Sequence, residues 1–490
     1  MLTPDLDSAT IPELNRLFDK GELTSVDLTA AYLDRIRTVD PLLRSVLFVD
    51  PTALLQAADS DRRRAAGETL GPLDGIPVLL KDNIDTRDMP TTAGSRALLV
   101  APPLQDAFLV RRLRAAGAVI IGKTNLSEWA NFRSTHSTSG WSAVGGQTVN
   151  AHVLDRNPSG SSSGSGSSIA AALAQFAIGT ETDGSIVGPA SANGIAGLKP
   201  TIGLVSRAGV VPISAQQDTP GPMARHVVDL AVALSALQGK DPDDPATADQ
   251  PDDQVTDYAA ALDPDALRGA RLGVWHVPTE PADVVSSAVD ALRAAGASVV
   301  EVTLPHHDDI GPHELPAMWA EFRHDLEAYL ATREGAPSTF GELIEFNKAD
   351  PVELSKFPQD HFEHAAEAPP LTDTEYLEHR RTATELARRS IDETLAEHGL
   401  DAIVAVTNGP AWQIGYHPEG DHDVIGSSSA AAVSGYPAVT VPAGFVGPLP
   451  IGVSFFAGRF ADARVLSLAA AFEAATKARR APTFLPTVEE

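Results

Sequence analysis

Cysteine is absent from the 490-residue sequence. Disulfide bonds, thiolate metal sites and a cysteine nucleophile are therefore all excluded, because each requires a thiol. Long apolar runs are absent as well, since no segment approaches the roughly 20 consecutive apolar residues that a membrane-spanning helix requires. The sequence thus excludes thiol chemistry and gives no sign of a membrane span.

Basic residues are outnumbered by acidic ones. Lysine and arginine total 37 against 65 aspartate and glutamate residues, which gives a formal net charge of −28. Contacts to phosphate groups require clustered Lys and Arg, so this balance argues against nucleic acid or an anionic membrane as a partner. A solvated acidic surface is the simpler interpretation of the charge.

The start of the chain lacks the features of a secretory signal peptide. Residues 1–17 contain neither a basic beginning nor an apolar stretch after it. We therefore expect a cytoplasmic protein. The alternative is the mature form of an exported protein whose signal peptide has been removed.

Local sequence patterns predict an alternation of helices and strands. Residues 10–13, Thr-Ile-Pro-Glu, have the form of a capping box and start a first helix, and a second amphipathic helix follows. Residues 76–80 form a short apolar run typical of a strand buried on both faces, which places Lys81 at the buried end of a strand. Residues 106–116 predict a helix and residues 118–121 a strand, as expected of an α/β sandwich.

A run of serine and glycine occupies residues 159–168, with seven Ser and three Gly. Such composition is common in flexible linkers. Here, however, the run leads directly into an apolar segment with helical spacing, residues 169–176, and then into a second glycine turn. A loop inserted between core-forming segments is therefore favoured over a linker.

Three motifs follow one another in a specific order. They are GIPVLLKDN at residues 75–83, GSSSGS at residues 160–165 and GTETDGSI at residues 179–186. Together they resemble the signature of the amidase signature family of serine hydrolases. The resemblance continues through residues 122–126, 197–201, 218–223 and 435–438, whereas residues 265–400 lack a sharp match.

This resemblance implies an α/β fold. In it, a mixed, mostly parallel twisted β-sheet is sandwiched between α-helices, with a largely helical cap insertion. Although the length would also allow two or three domains, we expect one domain over residues 1–490. Its parts would be N-terminal helices at 1–70, a catalytic core at 71–240, an α/β and helical cap at 265–400, and C-terminal strands and a helix at 401–490.

The resemblance also implies the site residues. Ser185 matches the nucleophile, Ser161 matches a bridging serine that follows a cis peptide bond, and Lys81 matches the base. Lys81 must be neutral to accept a proton, and burial at a strand end favours that form. The oxyanion hole would consist of backbone N–H groups of Thr182, Asp183, Gly184 and Ser185. No metal and no cofactor are implied.

Two positions depart from the common family pattern. Many members have Gly where Asp183 stands and Arg where Val187 stands, so an anionic small substrate is not favoured. Within the family, the similarity is greatest to bacterial peptide amidases, which share the form of residues 179–187 and of the loop at residues 140–148. This implies deamidation of the C-terminal carboxamide of peptides with release of ammonia. The expected partner is therefore a small-molecule or short peptide amide, bound by a monomer or homodimer.

Other functions stay open at this point. A broad-specificity amidase, esterase or carbamate hydrolase could use the same scaffold. A component of a tRNA-dependent amidotransferase would instead depend on partner proteins and nucleic acid, and the missing Arg at Val187 and the acidic charge argue against it. A catalytically inactive scaffold is disfavoured because Lys81, Ser161 and Ser185 are all present.

One motif is misleading. Residues 117–124, GAVIIGKT, match the Gly-x4-Gly-Lys-Thr pattern of a phosphate-binding loop. A phosphate loop needs a strand before its first glycine and a mobile interior, whereas here a helix is predicted before it and the interior is apolar and β-branched. We therefore do not predict nucleotide binding.

Three further features receive structural interpretations. Trp319 and Phe322 could line a substrate channel, but a place in the core is the simpler prediction. Residues 241–253, rich in Asp and Pro, are expected to be a surface linker. The clustered histidines lack the spacing of a metal site and are expected at the surface; they are His306, His307, His313, His361 and His364.

Overall fold

A computed structural model describes residues 5–278, 280–416, 420–421 and 426–488. The strands are β1 (Val46–Val49), β2 (Pro77–Lys81), β3 (Val119–Thr124), β4 (Trp141–Ser142), β5 (Gly146–Gln147), β6 (Phe176–Glu181), β7 (Ala196–Lys199), β8 (Thr219–Ala224), β9 (Arg271–Trp275), β10 (Ser298–Val302), β11 (Ala402–Val406), β12 (Ala438–Val446) and β13 (Leu449–Phe456). The α-helices are α1 (Ile11–Asp19), α2 (Ser25–Leu43), α3 (Ala53–Ala66), α4 (Phe108–Ala115), α5 (Ser163–Ala170), α6 (Val187–Ala192), α7 (Val227–Leu237), α8 (Ala282–Ala294), α9 (Gly311–Leu330), α10 (Phe340–Ala349), α11 (Asp360–Glu367), α12 (Thr374–His398), α13 (Ser429–Ser434) and α14 (Asp462–Thr476).

Eleven of the described strands form one mixed sheet in the order β1-β3-β2-β6-β8-β7-β12-β13-β11-β9-β10, and β4 pairs with β5 separately. Strands β3, β2 and β6 are parallel neighbours, as are β11, β9 and β10. The strands between these two groups pair antiparallel. The mixed sheet is confirmed, but the expectation that it is mostly parallel is wrong, because parallel pairing is limited to these two groups. One reason is that β12 and β13 form a hairpin, which brings neighbouring strands together antiparallel.

Helices cover both faces of the sheet. Neighbouring residues of a strand point to opposite faces, and β13 shows both environments. The ring of Phe455 lies 5.7 Å from that of Phe472 on α14. The next residue, Phe456, packs instead in a cluster with Ile391 of α12. The expected sandwich of a sheet between helices is therefore confirmed.

The predicted capping box begins α1. The Thr10 backbone N–H donates to Glu13 Oε2 at 2.9 Å, and the Glu13 N–H donates to Thr10 Oγ1 at 3.4 Å. The N-terminal part also contains a strand that the sequence patterns did not indicate, β1, which pairs antiparallel with β3 at the sheet edge. Four residues are too few for a periodic pattern to identify.

The segment that resembles a phosphate loop is mainly strand β3. Its Lys123 side chain is fully buried. The Lys123 ammonium donates to the Ile84 carbonyl at 2.6 Å and to Thr91 Oγ1 at 3.1 Å, and lies 3.5 Å from an Asp82 carboxylate oxygen. The segment is thus part of the core.

The expected surface linker at residues 241–253 is wrong in part, because four of its first ten residues are buried, namely Asp241, Asp244, Thr247 and Gln250. The Asp244 carboxylate pairs with Arg207 at 2.5 Å, and the Gln250 amide donates to the Gly203 carbonyl at 2.8 Å. Between them, Pro245–Asp249 form a 3₁₀-helix. Asp and Pro indicate a break in regular structure, but they carry no information about distant partners.

Helices α9, α10 and α11 pack through aromatic side chains. Phe322 is fully buried, and its ring lies 5.1 to 5.5 Å from those of Phe132, Phe340 and Phe362. The preferred core interpretation of Phe322 is confirmed. None of the helices in the described ranges is long and apolar enough to cross a membrane.

Candidate active site

Lys81 is the last residue of β2, an interior strand of the sheet, and its side chain is fully buried. Its Nζ lies 2.8 Å from Ser161 Oγ, 2.8 Å from Thr180 Oγ1 and 3.2 Å from the Thr180 carbonyl oxygen. The Asn83 amide donates to the same Thr180 hydroxyl at 3.0 Å. The orientation of the Lys81 side chain is therefore fixed by contacts with Ser161 of the Ser/Gly run and with Thr180 of β6.

Burial lowers the pKa of Lys81 to about 7, while the charges of Asp218 and Glu181 act in the opposite direction. An ammonium group loses its hydration when it is buried, so the neutral amine gains stability relative to the charged form. At neutral pH a large share of Lys81 is consequently uncharged. A neutral amine 2.8 Å from a serine hydroxyl can accept a proton from it.

The Ser/Gly run brings Ser161 to this lysine. The Gly160–Ser161 peptide bond is cis, and a Cβ atom on Gly160 would lie 2.3 Å from Ser127 Oγ, so a larger residue there would force Ser127 to shift. The sequence patterns predicted a helix over residues 169–176, but α5 already begins at Ser163 and ends at Ala170. Small residues allow this helix to pack in the core, and the run is therefore not a linker.

Ser185 lies in the turn between β6 and α6. Glu181 supports this turn, because its Oε2 accepts the backbone N–H groups of Ile186 at 2.8 Å and Val187 at 3.0 Å. The Ser162 N–H donates to the Ser185 carbonyl at 3.1 Å, which joins the turn to the Ser/Gly run. Gly184 has a φ of +75°, a conformation that side-chain-bearing residues rarely adopt.

The residues before Ser185 are fixed by their side chains. Thr182 Oγ1 donates to Asp218 at 2.5 Å, and the Ser428 hydroxyl donates to Asp183 at 2.5 Å. Desolvation raises the pKa of Asp183, although its hydrogen bond from Ser428 opposes this. The turn therefore presents a defined backbone and an acidic residue, Asp183, that is half-buried.

A cavity of about 370 Å³ opens onto this turn. Thr182, Asp183, Gly184 and Ser185 line one part of it, together with Ser159 and Gly160. Phe132, Met318 and His361 are also among the lining residues, whereas Trp319 and Phe322 are not. A volume of this size is typical of a site for a small organic ligand.

Two residues of this region were not indicated as functional by the sequence patterns. Thr180 lies within a recognised motif, but its bonds to Lys81 appear only in the structure. His361 was expected at the surface, which is wrong, since it is only 8% exposed and lines the cavity. The local sequence around His361 does not indicate this burial, because the residues that cover the ring are distant in sequence. They are Phe132 and Trp319 of α9.

Comparisons with known proteins show which families and structures the chain is similar to. A family model described as Amidase matches residues 27–466. The solved peptide amidase from Stenotrophomonas maltophilia is 48% identical, with a TM-score of 0.94, over 98% of this chain and 99% of that one. A protein of Arabidopsis thaliana described as a probable amidase is 39% identical over 99% of this chain and 93% of its own length. A component of the glutamyl-tRNA(Gln) amidotransferase of Salinispora arenicola is 36% identical over 96% of this chain and 98% of its own length.

Proposed function

This chain belongs to the amidase family of amide hydrolases, and from that premise we propose that it deamidates the C-terminal carboxamide of short peptides. The observation that carries the proposal is the hydrogen bond of 2.8 Å between the buried Lys81 amine and Ser161. It lies beside a cavity lined by Ser185. The resemblance to a solved peptide amidase supports the choice of substrate.

In the proposed reaction, the Ser185 hydroxyl attacks the carbon of the scissile carbonyl. Its proton passes to Ser161, which in turn gives its own proton to the neutral Lys81 amine. The tetrahedral oxyanion accepts hydrogen bonds from backbone N–H groups of the turn, at Thr182, Asp183, Gly184 and Ser185. Two contacts support this sequence of proton transfers. Lys81 Nζ lies within hydrogen-bond distance of Ser161 Oγ, and the backbone hydrogen bond from Ser162 to the Ser185 carbonyl joins the two serine segments.

Collapse of the tetrahedral intermediate breaks the carbon–nitrogen bond. The leaving nitrogen takes a proton returned through Ser161 and departs as ammonia, which leaves an ester between the peptide and Ser185. Water then attacks this ester while the relay accepts the water proton. The Ser185 oxygen is reprotonated, and the peptide leaves with a free C-terminal carboxylate.

Charge supports a carboxamide over a carboxylate beside the scissile carbonyl. Asp183 lines the cavity at the nucleophile turn, and in its ionised form it would repel a second negative charge nearby. Val187, which also lines the cavity, provides no positive charge to compensate. Peptide amides should therefore react, whereas the corresponding free-acid peptides should not.

The similarity to an amidotransferase component favours a second candidate function. Such a protein would act in an assembly with partner proteins and nucleic acid. The net charge of −28 and the valine at position 187 argue against this role. Purified chain that is fully active without a partner would exclude it.

A substrate panel tests the proposal. Peptide amides, free-acid peptides, anilides, esters, carbamates, glutamine and asparagine are incubated with the wild type and with Ser185→Ala, and the products are identified by mass spectrometry. We expect ammonia and the free-acid product from peptide amides only with the wild type. Preference for esters or carbamates would favour a broad hydrolase, and preference for free glutamine or asparagine would overturn the proposal.

The role of Asp183 has its own test. The amides of N-acetyl-leucine and N-acetyl-aspartate have side chains of the same branched shape, but only aspartate is charged. We expect the wild type to prefer the leucine amide, and Asp183→Asn to reduce that preference. An unchanged ratio of kcat/KM would show that Asp183 only accepts the hydrogen bond from Ser428.

A further inference from the structure

His361 lines the same cavity as Ser185, and the proposed reaction gives it no role. It lies in the first turn of α11 and is only 8% exposed. A buried imidazole ring in the wall of the same cavity requires an explanation. The explanation depends on how the ring is held and on which of its nitrogens carries hydrogen.

The position of the ring is fixed from several sides. It stacks on Phe132, with ring centroids 4.5 Å apart and an angle of 10° between the planes. The His361 backbone N–H donates to the Arg133 carbonyl at 3.2 Å. The preceding residue, Asp360, accepts hydrogen bonds from Ser134 at 2.5 Å and Thr135 at 2.6 Å. The start of α11 is thereby joined to a segment of the cavity wall.

One hydrogen bond determines the tautomer. Trp319 Nε1 donates to His361 Nδ1 at 3.0 Å. An indole nitrogen can only donate, so Nδ1 must carry no hydrogen, and the neutral ring has its hydrogen on Nε2. Protonation of Nδ1 would set two N–H groups against each other.

The ring is also neutral at physiological pH. Burial lowers the pKa of His361 to about 4. Asp360 acts against this shift, whereas His364 and His136 add to it. His361 is therefore an uncharged hydrogen-bond donor through Nε2.

We propose that His361 is a specificity-determining residue whose Nε2–H donates to a backbone carbonyl of the peptide, on the acyl side of the scissile amide. This inference rests on the proposed function. The scissile carbonyl would occupy the oxyanion hole, so the next acceptor along a peptide is the carbonyl of the preceding residue or N-acyl group. A site with a buried donor discriminates against ligands that leave it unpaired.

Two substrates that share a benzyl group and a primary carboxamide, and differ in the acetamido group, test this role. N-acetyl-phenylalanine amide has the additional carbonyl, whereas 3-phenylpropanamide lacks it. His361→Phe keeps an aromatic ring against Phe132 and removes the donor. We expect it to raise the KM of the acetylated substrate about five- to tenfold more than that of 3-phenylpropanamide, as for the loss of one hydrogen bond of this kind.

Two further variants separate donation from packing. His361→Gln replaces Nε2 with an amide nitrogen and should restore much of the lost selectivity. His364→Phe is the matched control, because His364 lies on the same helix and contacts Trp319 but does not line the cavity. It should leave the ratio of the two KM values at the wild-type level. If His361→Phe fails to fold, His361→Met takes its place with the same measurements.

The outcomes distinguish this inference from the proposed function. If the wild type hydrolyses N-acetyl-phenylalanine amide but the donor-less variant changes both KM values equally, the role of His361 is overturned and the proposed function stands. If the wild type does not hydrolyse peptide amides at all, the proposed function fails and the inference fails with it. A selective rise in KM that His361→Gln reverses supports both.

Discussion

Lys81 Nζ lies 2.8 Å from Ser161 Oγ, although the two residues are 80 positions apart in the chain. The lysine ends an interior strand, and the serine belongs to the Ser/Gly run that leads into α5. Both side chains are fully buried. The contact therefore joins a group with a lowered pKa to a hydroxyl in a region shielded from water.

The three residues of the proposed relay should act as a unit. Ser185→Ala should abolish turnover of a peptide amide, and Lys81→Ala and Ser161→Ala should each lower kcat by several orders of magnitude. The double variant of Lys81→Ala and Ser161→Ala should have a kcat little below that of either single variant, because the effects of substituting members of one relay do not add. Release of ammonia under substrate saturation provides the measurement.

A serine from the same run serves as the control. Ser168 is buried in α5 and donates to the Ser165 carbonyl at 3.2 Å, but it does not contact Lys81. Ser168→Ala should keep kcat close to that of the wild type. A rate for Ser185→Ala above about a hundredth of the wild-type rate would contradict the assignment of the nucleophile.

Turnover should rise with pH as Lys81 loses its proton. The pKa of Lys81 is lowered to about 7, and only the neutral amine can accept a proton. The fraction of active enzyme therefore increases through about pH 7 and levels off above it. A profile of kcat that is flat between pH 5 and 10 would overturn the neutral-lysine mechanism.

Asp218→Asn sharpens this prediction. The charge of Asp218 raises the pKa of Lys81, so its removal should move the kinetic midpoint to lower pH. Asp229→Asn is the matched control. Asp229 is also buried with its pKa raised to about 6, but it is not among the groups that act on Lys81. The control should lose stability without moving the midpoint.

Gly184→Ala should damage the site more than the fold. Gly184 has a φ of +75°, and a Cβ atom there would lie 2.9 Å from Ser428 Oγ. We expect kcat to fall about a hundredfold or more, since displaced oxyanion donors cost this much. The thermal midpoint of unfolding, measured in parallel, should fall only modestly.

A second glycine separates backbone strain from site damage. Gly21 has a φ of +67°, but a Cβ atom added there would have no neighbour within 4 Å. Gly21→Ala should therefore cost about 1 kcal/mol of stability and keep the wild-type kcat. Equal activity of the two variants would show that the geometry at Gly184 is not needed for the reaction.

We also propose that the chain folds as one unit. The C-terminal strand β12 pairs with β7, and β11 pairs with β9, so early and late parts of the chain share one sheet. Limited proteolysis should cut near the exposed residues Asp252 and Asp253. The fragments should stay together on size-exclusion chromatography and separate only in denaturant. Recovery of an independently folded, active N-terminal half would refute this proposal.

Local features could be predicted from the sequence because their causes are local. The capping box at Thr10 depends on two residues three positions apart, and the apolar run at residues 76–80 reports burial on both faces of a strand. The ordered motifs around Lys81, Ser161 and Ser185 identified the family through residue types and spacing alone. None of these inferences required knowledge of contacts between distant segments.

The tertiary structure decided what depends on distant partners. The Ser/Gly run became a buried helix because neighbouring segments approach closer than larger side chains would permit. Asp244 became fixed because Arg207 lies opposite it, and His361 became a neutral donor because Trp319 donates to its Nδ1. The pKa of Lys81 has the same origin, since desolvation arises from everything that surrounds the side chain. Sequence patterns record the periodicity and turn chemistry of one segment, whereas burial, tautomer and charge state arise only when separate segments pack together.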